Sequence, residues 1–199
     1  MATSAAVGAT SDAILTLLRR AAFDDPDWRT VSVLHYRSSD LQKALSPDTP
    51  LTLSIFLYRV ALSAGLRNVP THYLNDKPRR PAIPVDLFYL VTAWASDATM
   101  QQKLLGWAIR TIEDTSTLPS NLLNEGAWAG VFAPSETVEL VWHVLTMQEE
   151  YDLWQIAQTN QQPSASYVAR TVALESTLTM PTGPAVQTRE FDFAAGPSG

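Results

Sequence analysis

A chain of 199 residues with 46% hydrophobic content is long enough for one domain with a substantial core, which excludes disorder throughout. Its 14 basic and 20 acidic residues give a formal net charge of −6, which would repel a phosphate backbone, so no nucleic-acid partner is expected. The lack of cysteine excludes disulfides and thiolate chemistry and suits a cytoplasmic protein, and no apolar run approaches the ~20 residues of a membrane span.

The chain begins with small residues at 1–9 that carry no capping signal, so we expect a flexible N-terminus there. Thr10-Ser11-Asp12 supplies N-cap residues for an amphipathic helix that runs to about Phe23. Asp24-Asp25-Pro26-Asp27 ends this helix, because the residue before proline avoids the α region. This acidic run lacks the glycine and the distal glutamate of an EF-hand loop, which favours a solvated loop over a calcium site.

Three segments in the first half have the patterns of strands. A short strand is predicted at 31–36, and residues 51–62 alternate apolar and polar side chains. Residues 85–94 are apolar except for Asp86 and Thr92, as in a strand that is buried on both faces in the middle of a sheet.

The second half alternates helices and strands. The patterns predict, in chain order, a helix at 97–114, a loop at 115–134, a strand at 136–145, a helix at 147–159 and a strand at 167–178. Thr146-Met147-Gln148-Glu149 matches a capping box, so the helix at 147–159 should begin abruptly. The whole predicts a single α/β domain at 10–178, with a central mixed or antiparallel sheet of about four strands flanked by about three helices. Extended tails at 1–9 and 179–199 would flank this domain.

No arrangement of residues points to catalysis or to a bound cofactor. His35, His72 and His143 lie in unrelated segments, without a second ligand at the helical spacing that metal sites favour. No nucleophile elbow, phosphate-binding glycine loop or dinucleotide fingerprint is present. The sequence therefore predicts a protein that is not an enzyme and that binds no metal or cofactor.

Several short motifs occur in a particular order along the chain. They are Arg67-Asn68 before a proline-rich loop, the strand at 84–94, Leu104-Leu105-Gly106, Leu153-Trp154, and the Pro-Ser-Ala-Ser-Tyr-Val-Ala-Arg run at 163–170. In these motifs the chain resembles the cap, or tube-terminator, family of phage-tail-like contractile injection systems, which is related to phage tail terminators. The resemblance covers roughly residues 13–178. The sequence departs from the family pattern in the loop at 115–134 and at Trp94 and Trp107.

The resemblance implies a non-enzymatic structural protein of a particle that is assembled in the cytoplasm. Six copies would form a ring at the baseplate-distal end of the inner tube, stop tube growth and grip the last sheath layer. The partners would be other copies of the chain, the inner tube protein and the sheath protein. Without the resemblance, a monomeric adaptor or ligand-binding module and a hydrolase with an unrecognised site stay open as alternatives.

Three stretches are candidates for protein interfaces. The helix at 147–159 has a wide apolar arc that includes Tyr151 and Trp154, which predicts packing partly on the sheet and partly on a neighbour, or entirely in the core. The proline-rich loop contains the basic residues Lys77, Arg79 and Arg80, which we expect either to dock on an acidic rim of tube or sheath or to be solvated. The tail contains Phe191 and Phe193, and it either adds a strand to a neighbour or is disordered.

Overall fold

The computed structural model describes residues 4–43, 50–64, 73–74 and 77–180. Within them the helices are α1 Ala6–Asp24, α2 Ser38–Lys43, α3 Ala98–Thr115, α4 Ser120–Leu123 and α5 Met147–Ile156, with a 3-10 turn at Gly126–Trp128. The strands are β1 Ser32–His35, β2 Thr52–Leu62, β3 Tyr73–Leu74, β4 Lys77–Pro78, β5 Ile83–Trp94, β6 Thr117–Leu118, β7 Val138–Trp142 and β8 Ser164–Leu174.

The main sheet of the described chain has six strands in the order β1-β2-β5-β8-β7-β6, and a separate two-stranded sheet pairs β3 with β4. Only the β1–β2 pair of the main sheet is parallel, so the predicted mixed α/β fold is confirmed. The main sheet has more strands than the predicted number of about four, partly because β6 lies inside the predicted loop at 115–134. Its two residues pair with the start of β7, and so short a strand shows no alternation in the sequence.

Strand β5 lies in the middle of the sheet, as its apolar sequence predicts. It is hydrogen-bonded to β2 on one side and to β8 on the other, and its residues from Leu87 to Trp94 are all buried. Alternate side chains enter different cores: Leu87 and Tyr89 join the larger core with α1 and α3, whereas Leu90 and Trp94 join a smaller core on the opposite face.

Helices α1, α3 and α4 contribute to the larger core. The prediction of a flexible segment at 1–9 is wrong for residues 6–9, because α1 begins at Ala6 and buries Ala6 and Ala9. The helix predicted at 97–114 is confirmed as α3, and Asp97 caps its start: the carboxylate accepts a 2.8 Å hydrogen bond from the backbone N–H of Met100.

The segment at 115–134, predicted as a loop, folds back on the domain and is largely structured. Phe132 is buried, and the indole N–H of Trp128 donates to the Asp12 carboxylate on α1 at 2.6 Å. The other oxygen of that carboxylate lies 2.8 Å from Nε2 of His35 on β1. One aspartate therefore connects the first helix, the edge strand and this segment.

Helices α2 and α5 pack on the second face of the sheet through a small core of Leu41, Leu90, Trp94, Trp154 and Ala157. The capping box predicted at the start of α5 is confirmed, because the Thr146 hydroxyl and the Glu149 carboxylate each accept from the other residue's backbone N–H. The helix ends at Ile156, earlier than the predicted 159, and Gln158 then takes a left-handed conformation with φ 53°.

Candidate assembly surfaces

The two aromatic residues predicted to form an interface on α5 lie in different environments. Trp154 is 1% exposed, and its ring packs edge-on against Trp94 at a centroid distance of 6.2 Å. Trp94 is fixed in turn, because its indole N–H donates to the Ser54 hydroxyl at 2.7 Å. Tyr151, by contrast, is 53% exposed. Within the chain Trp154 is therefore a core residue, and a direct contact with a partner is available only to Tyr151.

The exposed side of α5 and the segment before it form what we call the α5 surface. Its apolar members are Val144, Met147 and Tyr151, and Met147 is 78% exposed. Glu150 lies on the same side of the helix and lines a depression with Val144. Ile156, Glu149 and Asp152 lie on another side of the helix, where they line a groove that faces β2. The α5 surface is therefore both apolar and acidic.

A groove separates α5 from strand β2. Tyr58 and Arg59 line it on the strand side, where the Tyr58 hydroxyl is hydrogen-bonded to that of Ser166 at 2.9 Å. The Arg59 guanidinium lies 5.0 Å from the centre of the Phe88 ring, and the His143 ring meets the same ring edge-on at 4.9 Å. Arg59 and His143, which both line the groove, are therefore both packed against the Phe88 ring.

Two groups beside this groove have altered pKa values. The backbone N–H of Thr146 lowers the pKa of Glu149 most, followed by the Thr146 hydroxyl, with His143 and Arg59 contributing. Burial raises the pKa of Tyr58. Both shifts follow from helix capping and packing, and neither places a proton donor beside a free nucleophile. Within the described residues there is no group of three or more histidine, aspartate or glutamate side chains that could hold a metal ion.

A second exposed apolar area lies at the far end of strands β2 and β5, and we call it the sheet-end surface. Its apolar members are Val60, Leu62, Ile83, Leu178 and Met180, and Leu62 is 74% exposed. Leu62 and Ile83 line a common depression with Pro81 and Pro84. Large apolar side chains that share a depression in contact with water are typical of an interaction site.

The predicted basic segment borders the sheet-end surface. Arg79 forms an isolated antiparallel bridge with Thr179, and the backbone N–H of Arg80 donates to the carbonyl of Leu178 at 3.2 Å. Arg80 is exposed, Arg79 is half-buried, and neither belongs to an ion pair among the described residues. Lys77 lies in β4, and Phe191 and Phe193 lie outside the described residues, so a role for the tail stays a prediction.

Edge strand β1 is partly protected from pairing with another chain. The Arg19 guanidinium on α1 donates two hydrogen bonds, of 3.0 and 2.8 Å, to the carbonyl of Val33. A side chain that occupies a carbonyl of an edge strand reduces the pairing capacity of that edge.

The sequence analysis does not single out Arg19, Leu62 and Ile83. Arg19 has no local motif. Leu62 and Ile83 are apolar residues at adjacent ends of β2 and β5, and a bulge after Leu57 shifts Leu62 out of the alternation seen at 51–57.

None of the described helices is both long and apolar enough to cross a membrane.

The chain matches the family model of the Pvc16 N-terminal domain over residues 9–188. Its fold is similar to that of the PVC sheath/tube terminator, from an extracellular contractile injection system in the extended state. That match has a TM-score of 0.62 and 13% identity, and it covers 94% of this chain and 64% of that one.

The fold is also similar to that of the tube-terminating cap of the anti-feeding prophage, with a TM-score of 0.54 and 16% identity over 91% of this chain and 60% of that chain. The chain thus spans less than two thirds of the length of either protein. No curated protein matches it in sequence. The family match confirms the resemblance stated from the sequence motifs. The chain belongs to the Pvc16 N-terminal domain family.

Proposed function

We propose that this protein is the cap, or tube terminator, of a contractile injection system. The observation that carries the proposal is the family match over residues 9–188, which includes nearly all of the described domain. The similar folds of a PVC sheath/tube terminator and of the anti-feeding prophage cap support it. The role is structural and non-enzymatic, and its partners are the inner tube protein, the sheath protein and other copies of the chain.

In this proposal several copies form a ring at the baseplate-distal end of the tube. The resemblance described under the sequence implies six copies. The ring ends tube growth and anchors the last sheath layer, in a particle that is assembled in the cytoplasm. Such a subunit needs one surface pair for its neighbours around the ring and another surface for the tube or sheath. The α5 surface and the sheet-end surface are candidates for these contacts because both expose apolar side chains.

Electron microscopy of particles assembled with and without this chain tests the proposal. We expect particles without the chain to have tubes of variable length, bare distal ends or missing sheath. Adding back the wild-type chain should restore a uniform length, and so should Arg110→Ala, which alters only an exposed pair with Asp114 within α3. Normal lengths and a normal distal end without the chain would refute the cap role and favour the adaptor alternative.

A further inference from the structure

We propose that the α5 surface of one copy binds the sheet-end surface of the next, head to tail, so that two unlike surfaces of the same chain form the contact between copies. This inference rests on the proposed function insofar as it assigns the contact to a ring. The association of copies can nevertheless be measured without particles.

The α5 surface carries negative charge. The α5 helix carries three acidic residues and no basic one, and none of its acids belongs to an ion pair among the described residues. Glu149 is occupied by the capping box and lies near Arg59 and His143. Asp152 accepts a 2.7 Å hydrogen bond from the Gln148 side chain and lines the groove beside Arg59, so Glu150 is the acid left for an external cation.

The opposite charge is found at the sheet-end surface. Arg79 and Arg80 border it without an ion-pair partner among the described residues, and they outnumber Glu175, which follows the end of β8. Both surfaces also expose large apolar side chains. Contacts of this composition, with an apolar centre and complementary charges, are typical of specific protein interfaces.

The two surfaces lie on different parts of the domain. Leu62 pairs with Val85, which belongs to the core beneath α1 and α3, so the sheet-end surface opens on that face of the sheet. Helix α5 packs on the other face through Trp154 and Leu90. The two surfaces lie on opposite faces, so one copy cannot satisfy both surfaces by itself.

Symmetry then selects the kind of contact. A two-fold dimer through either surface would bring like charges together, acid on acid or base on base, which costs free energy. A head-to-tail contact brings acid to base and leaves the same pair of surfaces free at the two ends. Contacts of this kind form rings when the rotation closes. A second copy of the chain is therefore the occupant that both surfaces fit.

Cysteine cross-linking provides the test, because the chain has no native cysteine and the background is low. Tyr151→Cys and Leu62→Cys place single thiols on the two surfaces, and Phe23→Cys is a matched control on an exposed apolar residue of α1. Each variant is oxidised alone and as a 1:1 mixture with another variant, both as concentrated purified chain and in assembled particles.

We expect the mixture of Tyr151→Cys with Leu62→Cys to form covalent dimers at a yield at least about tenfold above mixtures with the control. A chain with both substitutions should give a ladder of cross-linked copies that ends at a closed ring. Dimers formed by one variant alone would show a two-fold contact and would overturn the inference. Cross-links only to tube or sheath protein, or no cross-link in either preparation, would also overturn it.

Charge reversal gives an independent readout that does not depend on thiol geometry. Glu150→Lys, or Arg79→Glu with Arg80→Glu, should each weaken self-association about tenfold or more. A 1:1 mixture of the two variants should regain most of the association, because every contact in an alternating ring then joins opposite charges. Sedimentation measures the association, and circular dichroism confirms that each variant is folded. A mixture no stronger than its components would contradict the head-to-tail arrangement.

The two proposals can fail separately. If particles need the chain for a normal tube length but the two cysteines do not cross-link, the cap role stands and the assigned contact is wrong. If the ladder forms but particles are normal without the chain, the contact stands and the cap role is wrong.

Discussion

Replacing Trp154 by alanine tests whether this residue is part of the core or part of an interface. The side chain is 1% exposed and contacts the small core through Trp94, so its removal leaves a cavity on the α5 face of the sheet. Substitutions of a large buried aromatic by alanine cost about 3–5 kcal/mol of unfolding free energy. For a chain of this length, that corresponds to a decrease in Tm of about 6–20 °C.

Two further variants separate packing from other effects. Trp154→Phe keeps most of the ring and removes an indole N–H that has no acceptor among the described residues, so it should cost clearly less than alanine. Tyr151→Ala should change the stability of the isolated chain by only about 0.5 kcal/mol, because Tyr151 is 53% exposed. Urea unfolding followed by circular dichroism measures all three. Equal costs for Trp154→Ala and Tyr151→Ala would refute the assignment of Trp154 to the core.

Four other predictions concern local packing and titration. A Cβ atom at Gly8 would lie 2.8 Å from the Trp128 ring. The resulting overpacking should cost about 1–3 kcal/mol of unfolding free energy, and the higher helix propensity of alanine should offset ~1 kcal/mol of that cost, so Gly8→Ala should be neutral or destabilising. Gly106→Ala meets no atom within 4 Å and should stabilise by up to about 1 kcal/mol; equal shifts in urea midpoint would contradict this. Because the pKa of Glu149 is lowered in the folded state, its contribution is present above about pH 4.3 and is lost as the pH falls. Glu149→Gln should therefore flatten the acid limb of stability, and an unchanged slope would argue against it. Burial raises the pKa of Tyr89, so stability should fall as the pH rises above about 10, and Tyr89→Phe should reduce that slope.

The elements that the sequence predicts well have strong local signals. Strand β5 is apolar on both faces, the Asp97 cap marks the start of α3, and the box of Thr146 and Glu149 marks the start of α5. Each of these signals lies within a few residues of the element that it specifies. Periodicity and capping are therefore sufficient to place them.

The elements that the sequence misplaces depend on distant contacts. Helix α1 begins at Ala6 because the rest of the domain buries Ala6 and Ala9, although no cap signal precedes them. The segment at 115–134 is ordered by contacts such as that between Trp128 and Asp12, which are 116 positions apart. Composition alone does not reveal such pairs.

The apolar arc of α5 shows the same limit for the candidate site. The helical spacing places Tyr151 and Trp154 on neighbouring positions, and it indicates that some of this arc is buried. Trp154 faces the sheet because its ring packs against Trp94, which is 60 positions away in the chain. The sequence therefore predicted the helix and its apolar character, but not the division between core and surface.

The sheet-end surface follows from a difference in length between strands and helices. At about 3.3 Å per residue, the 11 residues of β2 and the 12 of β5 reach about 36 and 40 Å. The 19 residues of α1 and the 18 of α3 reach only about 28 and 27 Å at 1.5 Å per residue. The strands are thus longer than the helices on that face, yet Val60 and Leu62, which pair with Leu87 and Val85 of the larger core, are apolar. A strand end that stayed in water would be expected to carry polar residues at these positions, which is why we infer that another copy covers it.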